Sequence, residues 1–169
     1  MIKHKFFYPY ASVITVCSRH LWRSVDLSHL DSLTPGTLKW LLRRAPESLA
    51  LPNNTSYRQM VWLLSRSPML RKLTLKGASW SAVSAINTGQ APPLRSLNLA
   101  WSVITDSAIE EMTSCPTGHL RPGVPVPHSR LLRLQELIID GADITDVSLL
   151  HISKLPELRT LSIVGSCSN

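Results

Sequence analysis

One arrangement of apolar residues recurs along this chain at a fixed spacing. It reads LRSLNL at residues 94–99, and the same LxxLxL arrangement falls on residues 22–27, 46–51, 70–75, 134–139 and 158–163. All the intervals between successive segments are equal except the one after 94–99, which is longer. The last apolar positions of the segments are Leu27, Leu51, Leu75, Leu99, Ile139 and Ile163. Spacing this regular predicts an internal repeat with one lengthened interval.

The length of the repeat indicates its fold. Units of roughly 20 to 29 residues with LxxLxL are typical of leucine-rich repeats, in which each unit contributes a short strand and a helix. We therefore predict an α/β leucine-rich-repeat solenoid of about six strand–helix units of about 24 residues. Alternation along each strand directs the fourth and sixth positions inward and the third, fifth and seventh outward. Leu97, at a fourth position, should be fully enclosed.

Each predicted strand is followed by apolar spacing typical of a helix and by residues that can cap a helix N-terminus. Thr34 and Pro35 are predicted to open the first helix, since proline is accepted in a first turn. The predicted caps of the later helices are Ser56, Ser79, the pair Thr105 and Asp106, and the pair Thr145 and Asp146. Ser102 and equivalent small residues stand where other repeat classes place an asparagine ladder. We therefore expect turns that no asparagine ladder stabilises.

Two stretches depart from the repeat. Residues 1–15 show no strand or helix period and are predicted to be a poorly ordered N-terminal segment; they mimic a secretory signal peptide, but Pro9 interrupts the apolar run. The long interval contains an insertion at about residues 117–132 that is rich in Pro and Gly and has no acidic residue. Such an insertion belongs in an exposed loop, either as a binding element or, as we prefer, as a tolerated insertion.

Composition narrows the class of protein. A chain of 169 residues with 44% hydrophobic and 17% charged residues can bury the core of about one domain. Its net charge of +7 permits contact with nucleic acid, acidic protein surfaces or anionic lipid. No run of about 18 apolar residues occurs, so no membrane span is expected. The three cysteines lack CxxC spacing, which favours a reduced protein without structural zinc.

Residues near the start of the repeats resemble a second motif. Val16 and Cys17, followed by Leu21 and Trp22, resemble the end of an F-box that runs into the first leucine-rich repeat. We therefore interpret residues 16–21 as the remnant of an F-box end and residues 22–169 as the leucine-rich-repeat domain. The earlier F-box helices have no counterpart in residues 1–15, so binding of a Skp-type adaptor is not expected.

The most specific sequence is GASWSAVSA at residues 77–85, supported by LRSLNLAW at residues 94–101 and by the Pro-rich insertion. With them the chain resembles the C-terminal F-box and leucine-rich-repeat region of the JmjC histone H3 lysine-36 demethylases that carry CXXC and PHD fingers, and of their demethylase-lacking relative. The resemblance implies a nuclear, chromatin-associated protein whose repeats bind a protein partner, such as a Polycomb-type complex or a ubiquitin-ligase substrate. It also implies that the iron and 2-oxoglutarate chemistry belongs to a domain outside these residues, as in a fragment, an isoform or an incomplete gene model.

Candidate catalytic chemistry is sparse. An iron site of the demethylase type needs a His-x-Asp pair and a distal His, and the nearest approach is His29 followed by Asp31, which we attribute to chance. The sequence also lacks a Gly-rich phosphate loop, a nucleophile elbow and paired Cys and His ligands. We predict a chain that is not an enzyme and has no catalytic residue, cofactor or metal site.

Outward strand positions are the best candidates for binding. Small residues fill much of this predicted concave face, including Pro52 and Ala100, and the alternative is a merely solvated sheet. The predicted partner-binding residues are Lys72, Thr74, Lys76, Ser96, Asn98, Trp101, Glu136, Ile138, Asp140 and Thr160. A small, mixed face suits a protein segment better than a phosphate backbone, which favours rows of Lys and Arg.

A competing hypothesis is a basic chromatin or nucleic-acid contact surface. Its residues are Lys39, Arg43, Arg44, Arg58 and Arg66 on predicted helices, with Arg121 and Arg130 in the insertion. Tryptophans can also stack on bases. For Trp40, Trp62 and Trp80 we favour packing, and for Trp101, which directly follows a strand, partial exposure.

Overall fold

The computed structural model describes residues 22–88, 91–114 and 131–165. Within them, short strands alternate with helices and form one six-stranded parallel sheet in the order of the chain. The strands are β1 (Ser24–Asp26), β2 (Ser48–Ala50), β3 (Lys72–Thr74), β4 (Ser96–Asn98), β5 (Glu136–Ile138) and β6 (Thr160–Ser162). The helices are α1 (Pro35–Arg44), α2 (Tyr57–Leu64), α3 (Trp80–Val83, continued by the 3-10 turn Ser84–Asn87), α4 (Asp106–Thr113) and α5 (Asp146–Ile152).

The sheet register reproduces the repeat found in the sequence. Leu73 of β3 pairs with Leu97 of β4, and Leu97 pairs with Leu137 of β5, so equivalent positions face each other across the lengthened interval as well. This α/β architecture is compatible with a repeat solenoid. The predictions for residues 1–15, for the F-box remnant at 16–21 and for most of the insertion fall outside the described residues.

Leucines at the fourth and sixth positions build the core. Leu97 and Leu99 have 0% exposure, and their equivalents in β1 to β5 are also buried, which confirms the predicted direction of the side chains. In β6 the prediction is wrong, because Leu161 is 37% exposed. Within the described residues β6 has a neighbouring strand on one side only, so its leucine is covered less completely.

The helix N-termini differ from the predictions in two places. Thr34 accepts a hydrogen bond from Thr37 N–H. Ser56 is the N-cap of α2, as predicted, and also forms a complete capping box with Gln59. Ser79 and Thr105 occupy N-cap positions, but neither side chain makes the capping hydrogen bond, so that part of the prediction is wrong.

Ser102 stabilises one turn between repeats. Its buried hydroxyl donates to the Leu75 carbonyl oxygen at 2.8 Å and accepts from the Ala78 N–H at 3.1 Å. A single serine hydroxyl therefore satisfies two buried backbone groups at the position where other repeat classes have a ladder asparagine.

No helix in the described parts of the chain is long and apolar enough to cross a membrane.

Candidate functional site

The third, fifth and seventh positions of the repeats form the surface that we call the strand face. Lys72, Lys76 and Thr160 on it are exposed. Thr74, Ser96, Asn98, Glu136, Ile138 and Asp140 are half-buried. The structure therefore brings these predicted binding residues together on one surface.

Two small residues predicted to face outward are instead buried. Pro52 and Ala100 occupy seventh positions, and Ala100 is only 4% exposed. The strands end at the fifth position, at Ala50 and Asn98, so alternation no longer governs the seventh position. Ala100 therefore forms the floor of the strand face between the flanking repeats.

Hydrogen bonds between neighbouring strands fix the two carboxylates at the β5 end of the face. The Ser96 hydroxyl donates to Glu136 Oε2 at 2.6 Å. Asp140 Oδ1 accepts from the Ser162 hydroxyl at 2.6 Å and from the Val164 N–H at 2.9 Å. Both acidic groups are thus held in place before any partner binds.

Lys76 lies among the acidic groups of the strand face. The Ser162 hydroxyl, the Val164 N–H and, more weakly, the Lys76 charge lower the pKa of Asp140. The Ser28 hydroxyl and, more weakly, Lys76 also lower the pKa of Asp26. Both carboxylates are therefore ionised at neutral pH.

A shallow depression marks the β1 to β3 side of the face. It has a volume of about 280 Å³, and most of the residues that line it are polar. The lining residues are Asp26, Ser28, Ala50, Leu51, Asn53, Thr74 and Lys76. Sequence analysis did not predict it, because Asp26 and Lys76 belong to different repeats and only the stacking of repeats brings them together.

Trp101 is the most exposed aromatic residue among those described, with 69% of its surface accessible. It follows β4 with a φ of +62°, and its backbone N–H donates to the Asp140 carbonyl oxygen at 2.7 Å. The indole lies across Gly141 of the next repeat. Partial exposure was expected, but the dependence of the ring on a glycine beyond the lengthened interval was not.

Two basic residues of the competing hypothesis pack against tryptophan rings. The Arg44 guanidinium lies 4.9 Å from the centre of the Trp22 ring, and that of Arg66 lies 5.0 Å from the centre of the Trp62 ring. Trp80 packs against the core while remaining half-buried. These contacts use the tryptophans as packing surfaces for helix residues, as cation–π geometry favours.

Arginines missed by the sequence analysis occupy the second position of several repeats, where the strands begin. Arg71 and Arg95 stand in adjacent repeats, and Arg159 stands two repeats after Arg95. Arg23 precedes β1, and its Nε lies 2.7 Å from Oε2 of Glu47, the residue that precedes β2. The recurrence of arginine at the second position of the repeats was the sequence signal that could have found this row.

Metal ligands do not gather in the described part of the chain, where no group of three or more His, Cys, Asp or Glu side chains has the arrangement of a site.

Comparison with known proteins gives the relatives of the chain. It is 41% identical over 150 residues to mouse (Mus musculus) lysine-specific demethylase 2B, and 38% identical over 153 residues to lysine-specific demethylase 2A of Xenopus tropicalis. Each match covers 87% of this chain. The chain is homologous to a segment of lysine-specific demethylases 2. No family model matches it.

The homologous segment is a small part of these demethylases. It spans 11% of the length of demethylase 2B and 13% of that of demethylase 2A. The resemblance inferred from GASWSAVSA and LRSLNLAW is confirmed by these matches. The demethylase activity in the names of these two relatives refers to the full-length proteins.

Proposed function

We propose that this chain is a leucine-rich-repeat docking module of a nuclear, chromatin-associated protein, and that it binds a protein partner through the strand face. The observation that supports this most is the fixed, mixed-charge surface on which Lys76 and Asp140 flank the buried Ala100, with Trp101 exposed beside them. Side chains already held by hydrogen bonds lose little conformational freedom when a partner binds.

The chemistry of the strand face favours a protein over a nucleic acid. Nucleic-acid surfaces gain affinity from clusters of Lys and Arg that replace counterions along the phosphates. Here Lys72 and Lys76 share the face with Asp26, Glu136 and Asp140. Homology to a segment of chromatin demethylases makes a Polycomb-type complex or a ubiquitin-ligase substrate the first partner to seek.

The test is affinity purification from nuclear extract with the full chain as bait, washed at low and at high salt, and identification of the bound proteins by mass spectrometry. The matched variants are Asp140→Asn and Lys76→Gln, which keep side-chain size and remove charge. We expect Polycomb-type components that survive high salt and decrease with both variants. Recovery that is identical with wild type and both variants would contradict docking on this face.

The row of arginines supports a second candidate, a nucleic-acid contact at the edge where the strands begin. Arg95 and Arg159 are exposed there. Arg95→Gln combined with Arg159→Gln should weaken binding of duplex DNA and make its salt dependence shallower. Equal salt slopes for this double variant and the wild type would exclude the edge as a DNA contact.

A further inference from the structure

Trp101 occupies a backbone position that suits glycine. At the eighth position of three other repeats, Gly77, Gly141 and Gly165 have φ values of +66°, +69° and +74°, and Trp101 has +62°. Glycine adopts this left-handed region without steric cost, whereas for a bulky residue it is a genuine outlier. The chain thus carries a tryptophan at a position where glycine would adopt the same backbone conformation without strain.

Core packing does not account for this tryptophan. Its side chain is 69% exposed, so the ring gains little from removal from water. The ring instead covers Gly141, where a methyl group would lie 2.7 Å from Trp101 Cζ3 and 3.1 Å from Cδ2. The Trp101 ring therefore fits in its place only because Gly141 has no side chain.

The surface around the ring is apolar at its margin. Gly141 N–H donates to the Val164 carbonyl oxygen at 2.8 Å, which places Val164 in the neighbouring repeat, and the Val164 side chain is 72% exposed. We call the surface formed by Trp101, Gly141 and Val164 the indole shelf. Exposed apolar surface bordered by polar groups is typical of interaction sites.

Acidic residues predominate in the two segments that contain Trp101 and Gly141, although the charge of Lys76 also reaches Asp140. The chain has a net charge of +7, but the described residues 96–114 and 131–146 contain a single basic residue, Arg133. The acidic residues in the same ranges are Asp106, Glu110, Glu111, Glu136, Asp140, Asp143 and Asp146. Asp140 directly precedes Gly141, the residue that the indole covers. A positively charged ligand is therefore complementary to this part of the strand face.

We propose that the indole shelf and Asp140 form an anchor for an arginine or lysine side chain, carried by a basic peptide segment of the partner. The cation would lie on the indole face, where the ring quadrupole attracts it, and would pair with the Asp140 carboxylate. Its aliphatic stem would extend over the shelf toward Val164. This inference rests on the docking function proposed above and specifies the chemistry of the partner.

The probes are fluorescent nonapeptides with a fixed central residue and randomised neutral flanks, in which the centre is Arg, Lys, Leu, Glu or Asp. Binding to the full chain is measured by anisotropy. The contact is located by the indole N–H signals of the ¹⁵N-labelled protein, with the Trp101 signal assigned from its loss in Trp101→Gly. We expect peptides centred on Arg and Lys to shift the Trp101 signal more than those of the other tryptophans.

Trp101→Gly separates binding from folding. Glycine relieves the left-handed backbone, so the melting temperature should stay unchanged or rise. Loss of the cation–π contact should weaken binding of the Arg-centred peptide by roughly three- to fivefold. Asp140→Asn, which keeps the hydrogen-bond acceptor for Ser162, should weaken it to a similar extent.

Gly141→Ala displaces the ring without removing it and should reduce binding as well. Gly77→Ala is its matched control, because it places a methyl group at an equivalent left-handed glycine where the nearest atom is 3.7 Å away. Equal affinity for the Arg-centred peptide in wild type, Trp101→Gly and Asp140→Asn would overturn the anchor. Stronger binding of Glu- or Asp-centred peptides at Trp101 would also overturn it.

The two proposals fail in distinguishable ways. If the Polycomb-type components bind the strand face but the basic peptides leave the Trp101 signal in place, docking stands and the anchor is wrong. If the basic peptides bind at Trp101 but the variants of the strand face do not change recovery from extract, the indole shelf binds cations but the proposed docking function is wrong.

Discussion

The N-termini of α2 and α4 are connected to neighbouring groups by different chemistry. At α2 the groups are neutral: the Ser56 and Gln59 side chains form the capping box, and Gln59 also donates to the Leu33 carbonyl oxygen at 2.9 Å. At α4 the group is charged. The Asp106 carboxylate accepts hydrogen bonds from the Thr145 N–H and hydroxyl, both at 2.8 Å, and from the Ser148 hydroxyl.

The difference shows that similar capping residues can bond within their own helix in one repeat and to the next repeat in another. Asp106 was expected to cap its own helix, but its hydrogen bonds reach the start of α5 in the next repeat. It thus connects α4 to α5 through an ionisable group, whereas the connection at α2 does not titrate. Stability should therefore depend on pH at one of these sites and not at the other.

The largest expected effect is in the core that both regions share. Leu97 in β4 lies between them with 0% exposure, so Leu97→Ala should reduce the free energy of unfolding by about 2 to 5 kcal/mol. Urea unfolding measures it. Leu150→Ala is the matched control at 68% exposure, and it should change stability by less than about 0.5 kcal/mol. Similar losses for both variants would contradict the assigned burial.

A smaller effect is expected at the neutral cap. Ser56→Ala removes the hydroxyl of the capping box and should cost about 1 kcal/mol in urea unfolding. Ser79→Ala, at an N-cap without a side-chain hydrogen bond, should change stability by less than about 0.5 kcal/mol. Equal costs would mean that the two caps do not differ as described.

The smallest effect is expected at the charged connection, where it should depend on pH. The Ser148 hydroxyl and the Thr145 N–H and hydroxyl hold the pKa of Asp106 below its usual 3.8. A carboxyl with a lowered folded pKa contributes stability above its unfolded pKa, and this contribution is lost as pH falls through the folded pKa. Asp106→Asn should therefore lower the melting temperature at neutral pH, and the gap to wild type should narrow below about pH 3.8.

Asp146→Asn provides the control for that measurement. Asp146 holds the equivalent first position of α5, but among the described residues it does not receive the set of hydrogen bonds that Asp106 receives. Its replacement removes none of the hydrogen bonds that join α4 to α5, so at neutral pH it should lower the melting temperature less than Asp106→Asn does. A gap that stays constant from neutral to acid pH in Asp106→Asn would exclude an ionised connection.

Periodicity was sufficient to predict most of the fold. Leu73, Leu97 and Leu137 are separated by a repeat and by a lengthened repeat, and all are buried in paired strands. The errors have local causes. Leu161 is exposed because coverage depends on a neighbour and not on its own pattern, and Thr105 leaves its cap unused while Asp106 bonds across repeats.

The candidate site was less predictable, because it depends on contacts between repeats. Alternation placed Lys72 and Thr160 correctly on one face, since that rule acts along a single strand. The fit of Trp101 to Gly141 is different: it depends on a positive φ at one residue and a missing side chain in the following repeat. Comparing the eighth positions would have shown Trp101 between Gly77 and Gly141, the glycines of the repeats on either side.

The lengthened interval between β4 and β5 increases the chain entropy that is lost when these two strands pair. Every other pair of adjacent strands joins partners that are one ordinary repeat apart, as Ser24 and Ser48 are, whereas Ser96 pairs with Glu136 across the lengthened interval. Closing the longer loop costs roughly 0.5 kcal/mol more in chain entropy. We therefore expect the pairing of β4 with β5 to be slower than that of the other adjacent strands by about a factor of two.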